Sequence, residues 1–363
     1  MVTPHPLANK HIIVAGGGIA GLAFVRAFVR NWPDEDPRPR ITLYERREQH
    51  VSPDREGYTI SVRSDVMSGG MQALQKLELL DEMFAASVTG QHGGAGKFRI
   101  WDINFNPILT FKTPKTPPDG LPVHGMRIAR YVLRQGLIDA IPTRVMAHWQ
   151  LSCTSASELS DGRVQVTLSN GSTDECDLLI AADGANSKVR AALRPNDNLS
   201  YAGAVCISAT AQFPDGLPDP IKEDHGIFLG AGPSSLFVSP VDDTKASWSV
   251  SFLEDKPRNA LRGKDAMEWK NEILEQARDH GKRFGQPFSQ LVDATNPATL
   301  MLFNTMDKQP INHKEMVNTP VVFIGDANHA VSVSSCGRRT TCSRSLANIL
   351  HSSRLLAMAQ IWR

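Results

Sequence analysis

Several things that would direct this chain to a membrane, a nucleic acid or an oxidising compartment are missing from its sequence. No stretch approaches the roughly 18 consecutive apolar residues that a membrane-spanning helix needs, so no membrane span is expected. The five cysteines, Cys153, Cys176, Cys206, Cys336 and Cys342, are an odd number with no C-x-x-C spacing. They argue against a disulfide framework and for a reducing compartment, with the cytoplasm as the default. An excess of one charge is also absent: 39 basic against 38 acidic side chains leave a formal charge of +1, too weak a field to gather nucleic acid. The 11 histidines are scattered without paired spacing, so no metal site is expected. No G-x-S-x-G elbow appears, which leaves hydrolase chemistry unsupported, and no internal repeat or low-complexity tract stands out.

What is present is an ordinary globular composition, 41% hydrophobic and 21% charged over 363 residues. That length suits two lobes, or one large α/β domain carrying an inserted layer. The apolar N-terminal segment "HIIVAGGGIAGLAFVRAFVR" holds four glycines at its centre and Arg26 and Arg30 in its second half, so it is better read as strand, turn and helix than as a secretion signal. A polar, Pro-rich loop "NWPDEDPRPR" and a second strand "ITLYER" complete a βαβ unit.

Residues 71–88 place Met71, Leu74, Leu77, Leu80 and Phe84 at helical spacing, and "RYVLRQGLIDAI" does the same with Val132, Leu133, Leu137 and Ile141. "FRIWDINFNPILTF" alternates as a strand pair, with "KTPKTPPDGLP" as a boundary. A block of strands follows in "YAGAVCISATAQF", "GIFLGAGPSSLFVSPV" and "KASWSVSFLE", then a helix in "DAMEWKNEILEQARDH" and a loop to about Asn304. The expected architecture is α/β, α+β overall: a Rossmann-type domain with a parallel sheet, and a mostly antiparallel β layer laid over it. Its boundaries are expected at 1–88, 121–196 and 305–363 for the nucleotide-binding part, and at 89–120 and 197–304 for the substrate-binding part.

Gly16, Gly18 and Gly21 form G-x-G-x-x-G at a strand-to-helix junction, where missing side chains let the backbone approach a pyrophosphate at the helix N-terminus. Glu45 ends the next strand 24 residues after Gly21, in place to accept hydroxyls of an adenosine ribose. A dinucleotide site of this kind serves NAD, NADP or FAD. Two further segments bear on the choice: "DLLIAADGANSKVR", a strand, a turn at Ala182, Asp183 and Gly184, and a helix capped near Asn186 or Ser187; and "VVFIGDANHA", a strand ending at Gly325 and Asp326.

Together, Gly16 to Gly21 with Glu45 and Arg46, "ADGANSKVR" at 182–190 and "GDANHA" at 325–330 resemble the three fingerprints of the FAD-dependent aromatic hydroxylases, the para-hydroxybenzoate hydroxylase type. "DREGYTISV" and "RIARYVLRQGLIDAI" are most similar to the tetracycline-inactivating and fungal secondary-metabolite branch. The resemblance implies that Gly16, Gly18 and Gly21 cradle the FAD pyrophosphate, that Glu45 holds the adenosine ribose, that Arg130 reaches the flavin side and that Asp326 bonds the ribityl chain. Asp183 and Gly184 match the motif that serves FAD and the nicotinamide donor, with a bracing role for Asp183 beside Arg190 as the alternative; Arg46 and Arg55 are candidates for phosphate contacts. It implies a monooxygenase that uses FAD, NAD(P)H as co-substrate and O2 to hydroxylate or epoxidise a phenolic or polycyclic small molecule, in secondary metabolism. No catalytic side chain is assigned, because the cofactor carries the hard chemistry and the protein supplies orientation and a dry cavity. His329 is read as structural. Phe105, Phe111, Phe213, Phe228, Phe237, Trp248 and Phe252 are candidates for the pocket wall, each with core packing as its ordinary alternative.

The resemblance lapses after "GDANHA". Val333, Cys336, Arg338 and Thr340 stand where the family carries a proline and a G-x-G-x-N turn that brings backbone amides close to the flavin. Helical spacing then resumes through Leu346, Ile349 and Leu350, and the chain stops at Arg363, where family members commonly run on. The alternative reading is therefore a catalytically impaired flavin- or nucleotide-binding remnant.

Overall fold

The computed structural model describes residues 5–50, 52, 58–64, 69–91, 96–111, 116–222, 224–229, 232–259, 266–312, 316 and 319–331. The first half supplies β1 (His11–Ala15), α1 (Ile19–Arg30), β2 (Arg40–Glu45), β3 (Thr59–Arg63), α2 (Gly70–Lys76), α3 (Leu80–Ala85) and α4 (Val88–Gln91). Next come β4 (Phe98–Trp101), β5 (Pro107–Thr110), β6 (Gly125–Ala129), α5 (Arg130–Asp139), β7 (Met146–Trp149), β8 (Cys153–Glu158), β9 (Val164–Leu168), β10 (Thr173–Cys176), β11 (Leu178–Ala181) and α6 (Lys188–Leu193). The rest is β12 (Ser200–Gln212), β13 (His225–Leu229), β14 (Ser234–Pro240), β15 (Lys245–Leu253), α7 (Ala266–Gly281), α8 (Phe288–Asp293), β16 (Met301–Asp307), β17 (Val321–Phe323) and α9 (Asp326–His329).

Five strands form an all-parallel sheet in the order β17-β11-β1-β2-β7. Its central strands are apolar on both faces, as burial on two sides requires. Ile12, Val14, Leu178 and Ile180 face α1, α2, α3 and α5. Ile13, Ala15, Leu179 and Ala181 face the other way, against the three-stranded β10-β9-β8 meander and α6. The parallel sheet and the helical packing are those expected of a Rossmann-type unit. The meander falls in residues for which the periodicity reading offered nothing.

The second sheet has seven strands, β16-β12-β15-β14-β13-β4-β5, antiparallel except where β13 runs parallel to β4. Alternation along these strands sorts large side chains to one face. Val205, Ile207, Trp248, Val250, Phe252 and Phe228 form a core with α7 and α8. A two-stranded ribbon, β3–β6, joins the two sheets: its Met126 and Ile128 enter the core of the parallel sheet, and its Thr59 and Arg127 hydrogen-bond Ser239 on β14.

Two expectations need correction. Residues 71–88 are not one helix: α2 ends at Lys76 and Glu78 takes φ +58°. Leu79 N–H then bonds back to the Leu74 carbonyl at 2.9 Å, closing a Schellman-type end before α3 begins. The apolar spacing survives the break because Met71, Leu74, Leu77, Leu80 and Met83 serve the same core. The expected loop to about Asn304 instead contains α8, a 3-10 turn at Pro297–Thr299 and the start of β16.

Candidate functional site

In a parallel sheet, ligands gather beyond the carboxyl ends of the strands. Here that edge collects the loops after β1, β2, β11 and β17. Gly16 (φ +110°) lies so close to the β11 loop that a Cβ would sit 2.4 Å from the Ala182 carbonyl oxygen. At Gly21 a Cβ would meet the Gly16 carbonyl oxygen at 2.0 Å. Gly325 takes φ +57° and packs against Ala20, whose Cβ would be 2.7 Å from an added one. Gly18 differs: nothing lies within 4 Å of the position its Cβ would take, and α1 begins there without a side-chain cap. The N-terminus of α1, with its positive dipole end, therefore opens into space, which is the fit a pyrophosphate needs.

Glu45 is buried beside this loop. Its Oε2 accepts the Gly17 N–H at 2.6 Å and its Oε1 accepts the Arg47 N–H at 2.9 Å. Arg134, on α5, donates Nε to the Gly17 carbonyl at 2.8 Å and brings Nη2 to 3.9 Å from Glu45 Oε1. Burial pulls the guanidinium of Arg134 below its ordinary pKa while Glu45 opposes the shift. One helical turn earlier, Arg130 opens α5 and its backbone N–H bonds the Tyr58 carbonyl at 2.9 Å. The field of Arg130 reaches Asp326, an exposed residue whose carboxyl is pushed up by desolvation, with His329 and Arg130 opposing the shift. The first turns of α5 thus run from Glu45 towards Asp326 along one edge.

Arg46 is exposed, whereas Arg47 is half-buried, its pKa lowered by burial and then by Arg130, Arg46 and Arg134. The cations brought together on this side of Glu45 are thus Arg46, Arg47, Arg130 and Arg134. Arg134 stands four residues from Arg130, a helical spacing that the sequence displayed and the motif reading passed over. Asp183 Oδ2 accepts the N–H groups of Lys188 and Val189 at 2.8 and 3.2 Å, while its buried Oδ1 meets no donor among the described residues. Ser187 caps α6 through the Arg190 N–H. Arg190 ties α6 to the Ala327 carbonyl at 2.8 Å, which fixes α9 and with it Asp326 and His329. Arg55 and the segment holding Val333, Cys336, Arg338 and Thr340 lie outside the described residues.

The pocket-wall aromatics fall on two faces. Phe105, Phe228, Trp248 and Phe252 are buried in the core against α7 and α8, and Phe213 packs there too. Phe237 and Phe111 lie on the opposite face. The register places Cys206, Ser208, Ser247, Ser249, Ser251 and Ser235 around Phe237. Cys206 Sγ lies 2.7 Å from Ser249 Oγ. Five of the seven exposed large apolar side chains among the described residues, Leu109, Phe111, Leu229, Leu253 and Phe303, share this face by register. The alternation in "SWSVSF" carried the signal: its serines and its large residues point opposite ways.

Comparison with known proteins agrees with this geometry. Monooxygenase cfoF of Aspergillus candidus is 36% identical over 340 residues, covering 92% of this chain and 80% of that protein. The chain belongs to the FAD-dependent monooxygenases. The FAD-dependent monooxygenase adaC of Aspergillus niger is 25% identical over 346 residues, 89% of this chain and 79% of its own length. Among solved structures, a variant of Klebsiella pneumoniae HpxO complexed with FAD superposes with a TM-score of 0.71 at 18% identity, over 98% of this chain and 81% of that one. Tetracycline destructase Tet(51) gives 0.64 at 19%, over 97% and 82%. No family model matches the chain. As a family member this monooxygenase uses FAD, with NAD(P)H as electron donor.

Among the described residues no helix is long and apolar enough to cross a membrane, and no group of three or more His, Cys, Asp or Glu could hold a metal.

Proposed function

We propose that FAD lies along the carboxyl edge of the parallel sheet, and that the serine-rich face of the seven-stranded sheet is the wall against which a phenolic or polycyclic small molecule is hydroxylated or epoxidised, in secondary metabolism. Residues 1–88, 121–196 and 305–363 form the FAD-binding part, and 89–120 and 197–304 the substrate-binding part. Gly16, Gly18 and Gly21 receive the pyrophosphate at the start of α1. Glu45 holds the adenosine ribose, and Arg130, Gly325 and Asp326 hold the flavin end. Asp183 offers the buried Oδ1 as an acceptor. Arg46 faces the outer side of the phosphates. The observation that carries this reading is the open, uncapped start of α1 at Gly18, flanked by Glu45 and three arginines.

When bound and reduced by NAD(P)H, FAD activates O2 for transfer of one oxygen atom. The balance is substrate, O2, NAD(P)H and a proton giving oxygenated substrate, NAD(P)+ and water. The chain's own groups position the rings and exclude water. Five large apolar side chains exposed on one face of this sheet suit a wall that receives an apolar ring system. Cys153, Cys176 and Cys206 are free and buried, which suits the cytoplasm, and a near-neutral chain of this kind takes a small molecule rather than a nucleic acid.

The test is NAD(P)H oxidation by the FAD-loaded protein with a panel of phenols and polycyclic aromatics. Stimulated oxidation with stoichiometric oxygenated product supports a working monooxygenase. FAD binding without such turnover across the panel would favour the impaired remnant.

A further inference from the structure

Arg127 occupies the joint between the two layers. It projects from β6 and is only 8% exposed. Its Nε donates to Ser239 Oγ at 3.1 Å, Nη1 to Ser61 Oγ at 2.8 Å, and Nη2 to the Thr59 carbonyl at 3.0 Å and to Thr59 Oγ1. Its guanidinium carbon stands 5.5 Å from the Phe237 ring centre. Every one of these partners is neutral.

A buried cation normally keeps a carboxylate, because desolvation costs several kcal/mol per ion. Arg134 has Glu45. Arg127 has none among the described residues, and burial alone draws its pKa down to about 9. The imidazole that feels its field does not help: His225 is pushed down to about 3 by its own burial and by Arg127, so it is neutral. The buried acid closest in sequence to it, Asp224, is taken up by Arg99 and the Lys97 N–H. Among the described residues, the joint therefore carries one positive charge that no carboxylate answers. Of the two N–H groups on Nη1, one is engaged by Ser61, and a guanidinium presents five in all.

The surroundings fix the class of anion that fits. By register Ser239 and Phe237 share the serine-rich face, Ser239 fully buried and Phe237 half-buried, so Arg127 stands beneath the edge of the proposed substrate wall, with an aromatic ring on one side and hydroxyls on the other. Resting on the function proposed above, we infer that Arg127 is a specificity-determining residue that receives the substrate as an oxygen anion, the phenolate or enolate of an ionisable ring hydroxyl. The hydroxyl proton leaves to solvent as the anion binds. Ionisation also makes the ring richer in electrons, which suits a substrate that must attack an electrophilic oxygen.

The test uses FAD-loaded protein with 7-hydroxycoumarin, whose ionisation is read by absorbance and fluorescence, and 7-methoxycoumarin, which cannot ionise. The wild type should take 7-hydroxycoumarin as its anion, lower the apparent pKa of the bound probe, and prefer it about tenfold or more over the methoxy analogue, the size of a charge-assisted hydrogen bond. Arg127→Met should erase the preference and Arg127→Lys should restore part of it, with flavin content unchanged in both. Equal binding of the two probes by the wild type, which needs no variant to fold, overturns the inference; so does a preference that survives in a folded Arg127→Met. Flavin content reads the function proposal separately, since a wild type that fails to hold FAD sinks that reading.

Discussion

Arg134 Nε donates to the Gly17 carbonyl oxygen at 2.8 Å, joining α5 to the glycine loop across 117 residues of chain. The same side chain is the buried cation nearest Glu45, so one arginine sets both the loop and the carboxylate beside it. Arg134→Met removes the hydrogen bond and leaves Glu45 buried without its cation. The expected loss is about 2–4 kcal/mol of stability, read from urea unfolding of the apoprotein, together with weaker FAD binding.

Gly18 and Gly21 separate packing from ligand clearance. Gly21→Ala drives a methyl group into the Gly16 carbonyl, and the apoprotein should lose more than about 2 kcal/mol or fail to fold. Gly18→Ala meets no protein atom within 4 Å, so its apoprotein should stay within about 0.5 kcal/mol of wild type. Its FAD affinity should nonetheless fall at least tenfold in a fluorescence titration, because the methyl group enters the space kept for the pyrophosphate. Wild-type affinity in a folded Gly18→Ala would contradict the placement of the cofactor.

His225 gives a signed pH dependence. Its pKa is lowered from an ordinary 6.5 to about 3 in the folded chain. Between those values the unfolded chain binds a proton that the native one refuses, so stability rises with pH. The contribution is complete above 6.5 and lost as pH falls towards 3, at up to about 1.4 kcal/mol per pH unit. His225→Phe should flatten that acid limb in denaturant titrations run from pH 7 to pH 4. An unchanged slope would mean that His225 is not held neutral.

How much of this was legible in the sequence follows from the range of each signal. The strand, glycine turn and helix around Gly16 to Gly21, Glu45 at a strand end and the Ser187 cap are local patterns, and all three stand where the residue spacing put them. Arg134 was visible as the i+4 partner of Arg130 but belonged to no motif. Arg127 was not visible, because its role depends on Ser239, 112 residues away in another sheet. The aromatics of the strand layer were seen as a set, yet only the phase of alternation separates Phe237 from Trp248 and Phe252. The break at Glu78 had no glycine to announce it; a non-glycine residue at positive φ is tolerated there because the surrounding core holds it.

The central claim is that one FAD molecule spans from Glu45 to Asp326 along the edge traced by Arg134 and Arg130. Titrating the apoprotein with FAD, and following flavin fluorescence and the visible spectrum in Glu45→Ala, Asp326→Ala and the double variant, tests it most directly. The account predicts one FAD per chain for the wild type and a loss of roughly tenfold or more in affinity for each single variant, one charge-assisted contact apiece. An Asp326→Ala protein that binds FAD as tightly as wild type, while Glu45→Ala does not, would place the flavin end elsewhere and contradict the account.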